Sequence, residues 1–424
     1  MVAQTPAQPL TRGPTADERL KPALPPPDPE EERGKTPFDR QRDLERGDSY
    51  LPRGYRFGSF LFYPTVETYL ERNDNIYAQP SNRVGDWIAA AGPSFRLRSD
   101  WNRHFFESEA TFRAIRYFEN GDDDQNNAYF SMRGQYDVSR ALTVNGRVAL
   151  ESDHEDRGDP DAANGREPTP TRRYIARLEG EYRPSHVMAR LSADLVRYDF
   201  SDVARANNTP INNDDRDRTR AVLTGRLGYE YLPETDAFIE VSVNRVDYAV
   251  DADDFGYRRS STGQRFVVGT EVDFTGVTVG EVYLGWMRQD FEDERLETVS
   301  ALDAGGRVRW NATNLTTVTM ALTRTIDDVT NAGAAARQTT TGRIDVDHEF
   351  LRNLTANAYV SFSEADYQGI DIVDDTLMAG LRVEYLVNRH AKLGVRYDFR
   401  DRTSNSAGRE FRQNVTRLDL AVRF

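Results

Sequence analysis

The connections between the β-patterned segments of this chain fall into two length classes that alternate strictly. Eight connections are short and nine are long and polar. The short ones are SDWNR, VSRAL, RPSHV, LPETD, FTGVT, NATNL, FLRNL and VNRHA. The long ones include RNDNIYAQPSNRVGD, EDRGDPDAANGREPTP and DVARANNTPINNDDRD. Together the seventeen connections join about 18 antiparallel strands, an even number with both chain ends on the short-turn side.

This alternation is typical of a transmembrane β-barrel, in which short turns face the periplasm and long loops face outside. We therefore predict an all-β fold, a closed antiparallel up-and-down barrel of about 18 strands with the loop at 153–170 outside. The last strand must pair with the first, because a bilayer does not tolerate an open sheet edge. A soluble sandwich or propeller is the alternative, and it would not alternate its loop lengths so regularly.

The composition is hydrophilic, with 38% hydrophobic residues, a net charge of −14 and a mean hydropathy of −0.71. A barrel accounts for these averages because half of each strand faces a wet lumen. The acidity argues against a nucleic acid partner. The chain has no cysteine, which excludes a disulfide framework and thiol chemistry.

Several strands separate into an apolar face and a charged face. Since Arg or Lys facing lipid at the midplane would cost about 2–4 kcal/mol, the charged faces are predicted to line the lumen. The predicted lumen-lining residues are Arg226, Glu230, Arg343, Asp345, Asp347, Glu349, Arg382, Glu384, Arg396, Asp398, Arg417 and Asp419. Arg and carboxylates are mixed, which argues against a pore selected by a ring of one charge.

Residues 1–57 differ from the rest of the chain, being rich in proline and charge with almost nothing to bury. We predict a disordered tail over 1–57, periplasmic or inside the pore, and an outer-membrane barrel over 58–424. The first residues, MVAQTPAQPL, have no basic or apolar leader region, so we take the sequence as a mature form. The tail or an inward-folded long loop is a candidate plug. Both an open pore and a plugged pore agree with the sequence.

The chain ends on an alternating strand with a terminal aromatic residue. Its outward residues are Leu418, Leu420, Val422 and Phe424. This ending resembles the C-terminal signal by which outer-membrane proteins are recognised for assembly. It predicts the barrel assembly machinery as a partner and the outer membrane of a Gram-negative bacterium as the location.

On several strands the outward phase changes from apolar to charged at the upper end. The arginines at this change are Arg116, Arg197, Arg245 and Arg288. We predict that they form a belt facing the phosphates of lipopolysaccharide, with neighbouring aspartates pairing with them or sharing bridging cations. The alternative is a β-bulge in each strand that turns these residues into the lumen.

The segments GSFLFYPTVETYLERNDNIYA, INNDDRDRT, LTTVTMALTRTIDD, VDHEFLRNLTANAYVSFSEADYQGID and YLVNRHAKLGVRYDFRDR resemble the proteobacterial putative β-barrel porin 2 family. The resemblance covers about residues 54–424. It implies an association with the synthesis or export of surface polysaccharide, and polysaccharide export proteins as partners. It carries no catalytic motif.

The leading hypothesis is therefore a porin-like channel that takes part in secretion of an exopolysaccharide or capsule. A general-diffusion porin or a structural outer-membrane barrel is the alternative. A hydrolase is less favoured, its site resting on Asp153 and His154 in ESDHED. The acidic segments NNDDRD and DADDFG lack the EF-hand spacing and read as solvated turns, so neither a metal site nor a cofactor is predicted.

Overall fold

The computed structural model describes residues 50–163, 165–233, 235–274 and 277–424, and these are almost entirely β-structure. The alternating apolar and polar residues predict strands, and each predicted segment is one. In chain order the strands are β1 (Tyr55–Phe57), β2 (Phe60–Asn73), β3 (Asp86–Ser99), β4 (Phe105–Tyr117), β5 (Gln125–Asp137), β6 (Leu142–His154), β7 (Pro170–Tyr182), β8 (Val187–Phe200), β9 (Val203–Ala204), β10 (Pro210–Ile211), β11 (Arg218–Leu232), β12 (Thr235–Tyr248), β13 (Ser261–Phe274), β14 (Thr278–Phe291), β15 (Val299–Thr313), β16 (Thr316–Asp327), β17 (Ala336–Leu351), β18 (Leu354–Gln368), β19 (Val373–Asn388), β20 (Ala391–Ser404) and β21 (Phe411–Arg423).

Eighteen of these strands, β2–β8 and β11–β21, form one closed barrel. Each pairs antiparallel with the next, and β2 closes the ring against β21 from Thr65↔Arg423 to Asn73↔Val415. The predicted closed 18-strand barrel is thus confirmed. The short pair β9 and β10 lies within the loop between β8 and β11.

Connection lengths alternate round the barrel as the sequence predicts. The short turns have two to five residues, and all but one of the long loops have six to seventeen. The exception joins β18 to β19 through only 369–372, because both strands extend further than the pattern indicates. Gly369 makes this tight turn with a φ of 98°, a conformation that favours glycine.

The strands are longer than a bilayer requires. Most have 13–16 residues. At about 3.3 Å per residue and a tilt of about 40°, a 14-residue strand rises about 35 Å, against an apolar band of about 25 Å. The register irregularities lie at Glu230/Leu232, Asn311/Thr313, Glu349/Leu351 and Leu386/Asn388, all beside short turns. The upper ends of these strands therefore project beyond the hydrocarbon without a break in register.

The residues just before the predicted barrel start at 58 form a short strand that adds to the first barrel strand. Tyr55–Phe57 form β1, which pairs with the beginning of β2. Gly54 and Gly58 flank it with φ angles of 66° and 59°, which lets the chain turn on either side. Residues 1–49, most of the predicted tail, lie outside the described residues. Among the described residues, no helix is long and apolar enough to cross a membrane.

Among the described residues, three clusters of buried apolar side chains lie near the long-loop end. One cluster packs Ile76 of the first long loop against Tyr69, Ile88, Ala90 and Ile115. Two others gather residues of the loops 292–298, 328–335 and 369–372. The barrel wall has an exposed apolar outer face and a polar inner face, so these small cores form where loops pack against strand ends.

Candidate functional site: the charged lumen and its mouth

The two faces of the wall alternate residue by residue. On β18, Val360 and Phe362 are 45% and 51% exposed, whereas Ser361 between them is 7% exposed. The same alternation places all twelve predicted lumen-lining residues on the face opposite the exposed apolar residues. The lumen of an 18-strand barrel is wide enough to hold water unless something fills it.

Many lumenal arginines pair with a carboxylate two residues along the same strand. Arg343 bonds Asp345 at 2.7 Å, Arg396 bonds Asp398 at 2.5 Å, and Arg417 bonds Asp419 at 2.7 Å. Arg382 and Glu384 make a similar pair at 2.7 Å, and Lys392 reaches the same carboxylate. These pairs follow from the strand period, because residues i and i+2 lie on one face.

Arg226 on β11 forms the most concentrated of these contacts. Its guanidinium contacts Glu240 at 2.7 Å, Glu271 at 2.6 Å and Glu281 at 2.8 Å. It also lies over the ring of Phe238, 4.0 Å from the centroid. The Arg226 side chain is 5% exposed, so one buried cation holds three carboxylates from three neighbouring strands. The sequence analysis predicts Arg226 as lumenal but does not predict these partners.

Hydroxyl side chains line the lumen across β16–β19. The stripe consists of Thr323, Thr325, Thr339, Thr341, Ser361, Ser363 and Thr376. Thr341 donates to Ser363 at 3.0 Å, and Thr339 donates to Asp327 at 2.8 Å. This part of the wall offers neutral hydrogen-bonding groups between the charged rows.

The loop 155–169 lies across the mouth of the barrel. It leaves β6 and returns to β7, but its Asp161 faces Arg337 of β17 at 3.7 Å. Around the ring β7 and β17 are eight strand steps apart, almost opposite. The Arg402 guanidinium of β20 donates to the Gly158 carbonyl at 2.8 Å, and Arg400 faces Asp156 at 3.4 Å. The loop predicted at the outer end thus folds over the mouth, and an inward-folded long loop is one of the two predicted candidates for a plug.

Neighbouring loops hold the near side of this crossing loop. Glu155 accepts a hydrogen bond from Arg216 at 3.1 Å, and both side chains are buried. Arg157 bonds Asp123 at 2.7 Å and lies over the ring of Tyr77. The crossing loop is thus anchored by ion pairs on both sides of the mouth.

Burial at the mouth changes how two acids of the crossing loop titrate. Desolvation raises the pKa of the Asp161 carboxyl above its ordinary value, against the attraction of Arg337. Desolvation also raises the pKa of Glu155, although Arg216 donates to it. Asp161 Oδ1 has no hydrogen-bond partner among the described residues, so its ion pair only partly compensates its burial.

The family that this sequence matches agrees with the closed barrel and its charged lumen. A family model described as "Putative beta-barrel porin 2" matches residues 48–424. The chain belongs to this family. It is an outer-membrane, porin-like β-barrel channel. A comparison with curated proteins finds no match.

Solved structures that are similar to this porin 2 member have low sequence identity and TM-scores of 0.47 or lower. OccK2 (OpdF) of Pseudomonas aeruginosa is 10% identical with a TM-score of 0.47, covering 88% of this chain and 99% of its own. OccAB4 of Acinetobacter baumannii is 10% identical with a TM-score of 0.43, covering 86% and 98%. A mutant of the ferric enterobactin receptor PfeA of Pseudomonas aeruginosa is 8% identical with a TM-score of 0.44, covering 86% and 80%.

The four predicted belt arginines of the porin lie on the outer face. Arg116, Arg197, Arg245 and Arg288 are exposed and continue the phase of the apolar residues below them. Cross-strand pairing runs unbroken past them, as in Arg197↔Thr219 and Arg245↔Thr262. The alternative of a bulge that turns them inward is therefore wrong for these strands. Their binding of lipopolysaccharide is a separate proposal, made below.

The C-terminal residues also face outward. Leu418, Leu420 and Phe424 are exposed, and the Phe424 amide donates to the Pro64 carbonyl at 3.1 Å. The strand therefore presents its apolar residues at the seam that closes the porin. Recognition by the assembly machinery stays a prediction.

The residues considered for a hydrolase site and for a metal site make local hydrogen bonds. His154 Nδ1 contacts Asn127 Oδ1 at 2.9 Å, and Asp153 accepts from the amide nitrogen of the same asparagine. In DADDFG, Asp253 accepts from Arg259 at 2.6 Å and from two backbone N–H groups. The Asn127 contacts join the ends of β5 and β6, and the Asp253 contacts organise a loop; none of these contacts joins the His154 ring to a carboxylate.

The sequence analysis missed most of the mouth. Arg400 and Arg402 continue the lumenal phase of Arg396 and Asp398, so the strand period alone could have identified them. Arg216 lies in a loop, and its pairing with Glu155 depends on how two loops pack. No local signal in the sequence indicates that contact.

Proposed function

We propose that this porin passes saccharide chains, and that its specific role is secretion of an exopolysaccharide or capsule. The observation that carries the proposal is the compensated charge of the lumen. In the described wall, Arg343–Asp345, Arg396–Asp398 and Arg417–Asp419 each place one positive and one negative charge side by side. Such a wall neither attracts nor repels one sign of ion strongly, which suits a neutral or weakly charged solute.

The chemistry of the wall supports the same substrate class. The hydroxyl stripe across β16–β19 can exchange hydrogen bonds with sugar hydroxyls. Tyr359 lies at the lumenal face, its hydroxyl donating to Asp398 at 2.8 Å while Arg343 lies 4.1 Å from its ring centroid. The association with polysaccharide export implied by the family resemblance agrees with this substrate class.

Planar bilayer recording of the full-length protein tests the proposal first. We expect a reversal potential near zero in a tenfold KCl gradient, because the lumenal charges are paired. We also expect neutral oligosaccharides added to the bath to interrupt the current for longer than polyethylene glycol of equal size. A strongly ion-selective current with no response to oligosaccharide would contradict the proposal.

The same recordings decide between the alternatives. A shortened protein without residues 1–49 measures the contribution of the tail to conductance, since β1 and the barrel are retained. Brief interruptions, the same for sugars and other small solutes, would identify a general-diffusion porin. The absence of current with and without the tail would identify a structural barrel. In the encoding bacterium, deletion of the gene should reduce surface polysaccharide, and a barrel variant with a blocked lumen should not restore it.

A further inference from the structure

The outer face of the long-loop rim carries more arginines than the four that the sequence analysis predicts. Arg172, Arg324 and Arg412 continue the outward phase of their strands. Cross-strand pairs connect the rim residues sideways, for example Arg172↔Asp199, Thr219↔Asp247 and Thr262↔Asp290. The charged residues therefore form a belt at one height of the barrel, with threonines at the rim of β11 and β13 between them.

The charge is unevenly distributed along this belt. Arginines Arg172, Arg197, Arg245 and Arg288 occupy the outer rim from β7 to β14. The outer rim from β18 to β20 carries acids instead, Glu364, Asp366, Asp375 and Asp401. In the first arc the guanidinium groups lie on β7, β8, β12 and β14, so neighbouring arginines are one or two strands apart.

The arginines of this first arc keep donors available. Arg245 uses its Nε for Asp247 at 2.7 Å, and within the described ranges its two terminal amino groups make no hydrogen bond. Arg288 uses Nε and one amino group for Asp290. Arg197 makes no side-chain hydrogen bond to any described residue. Side chains that are 62% and 45% exposed at Arg245 and Arg288 can reach a ligand outside the wall.

We propose that the outer arc Arg172, Arg197, Arg245 and Arg288 binds the phosphate groups of lipopolysaccharide. The arc lies at the long-loop end, which faces the outer leaflet, and it begins where the apolar run below it ends at Leu195 or Trp286. A guanidinium group can donate to two phosphate oxygens at once, so donors spaced one or two strands apart match a headgroup with several phosphates. Asp247 and Asp290 hold the guanidinium groups of Arg245 and Arg288 in place along their strands.

The test compares two triple variants with the same change in charge. The first is Arg197→Ser, Arg245→Ser and Arg288→Ser on the arc. The matched control is Arg140→Ser, Arg352→Ser and Arg389→Ser in the short turns at the opposite end. Full-length protein in detergent with EDTA is titrated with lipid A carrying two phosphates, dephosphorylated lipid A, phosphatidylglycerol and inorganic phosphate, and binding is measured by native mass spectrometry.

We expect the arc variant to lose at least about tenfold in affinity for lipid A and the control to lose less than about twofold. Dephosphorylated lipid A should bind the unchanged protein as weakly as lipid A binds the arc variant. Conductance and heat-dependent gel migration verify that each barrel is assembled. If the triple variant does not assemble, Arg245→Ser alone should lose about threefold.

Equal losses in the two triple variants would overturn the proposal. Equal binding of phosphatidylglycerol and lipid A would also overturn it, since it would identify a site for any anionic headgroup. Displacement of lipid A by millimolar inorganic phosphate would indicate a small-anion site instead, and would count against the proposal as well.

Discussion

The same short motif, Arg-x-Asp, occurs on the outer rim and in the lumen of this barrel. Arg245-Val-Asp247 and Arg288-Gln-Asp290 face outward, and their side chains pair at 2.7 and 2.6 Å. Arg343-Ile-Asp345, Arg396-Tyr-Asp398 and Arg417-Leu-Asp419 face inward, and they pair at 2.7, 2.5 and 2.7 Å. The geometry of the pair is the same because the strand period sets it.

The inner and outer pairs differ in their environment, which depends on the face of the wall to which the strand directs them. Inside, Arg396 and Asp398 are 15% and 16% exposed, and Tyr359 donates a further hydrogen bond to the aspartate. Outside, Arg288 and Asp290 are 45% and 38% exposed. Water competes with the outer pairs and leaves their donors available for a ligand, whereas the inner pairs brace the wall.

Removal of Arg226 should have the largest effect on stability. Arg226→Ala would leave Glu271 and Glu281 without this cation and Glu240 with Arg265 alone, which we expect to lower the free energy of unfolding by about 3–5 kcal/mol. Urea unfolding in lipid vesicles, followed by tryptophan fluorescence, measures it. A midpoint equal to that of the unchanged protein would show that the cluster does not hold the wall.

A new arginine lower on the outer face should have the next largest effect on stability. Leu191→Arg places a guanidinium in the middle of the apolar run of β8, six residues below Arg197. We expect a loss of about 2–4 kcal/mol, because this position faces hydrocarbon. Leu191→Met is the matched control and should change stability little. Tolerance of the arginine at 191 would place the bilayer midplane elsewhere.

The two environments of Arg-x-Asp should differ in a direct comparison. Arg396→Ser in the lumen should lower the free energy of unfolding by about 1–3 kcal/mol, since it leaves Asp398 part-buried without its cation. Arg288→Ser on the outer rim should produce no measurable change in the urea midpoint. Equal shifts for the two variants would contradict the distinction between inner pairs that stabilise the wall and outer pairs whose donors are available to a ligand.

The smallest effect we expect is a dependence on pH of how long the crossing loop closes the mouth. Asp161 faces Arg337, Asp159, Arg216 and Arg218, and its raised pKa means that the closed loop binds a proton more tightly than an open one. Closure therefore gains stability as pH falls and loses it as pH rises through the raised pKa. Single-channel recording should show less open time at pH 5 than at pH 7, and Asp161→Asn should weaken this dependence. More open time on acidification would contradict the sign.

The period-2 pattern and the loop alternation were enough to predict the barrel, its strand number and the phase of residues such as Arg197 and Arg396. Both properties are local to one strand or one connection. The convergence of Glu240, Glu271 and Glu281 on Arg226 depends on register between strands, and the contact of Asp161 with Arg337 joins strands almost opposite each other. Such contacts depend on the closed ring, which a single strand does not encode.

The central claim is that phase alone decides whether an Arg-x-Asp pair faces lipid or lumen, and labelling of single cysteines tests it most directly. The chain has no cysteine, so Arg288→Cys and Arg396→Cys each give one site for bimane. The claim predicts that nitroxide on lipid headgroups quenches bimane at 288 and that nitroxide lipids leave bimane at 396 bright. It also predicts that labelling reduces conductance at 396 only. Quenching at 396 by lipid nitroxide, or a conductance block from label at 288, would contradict it.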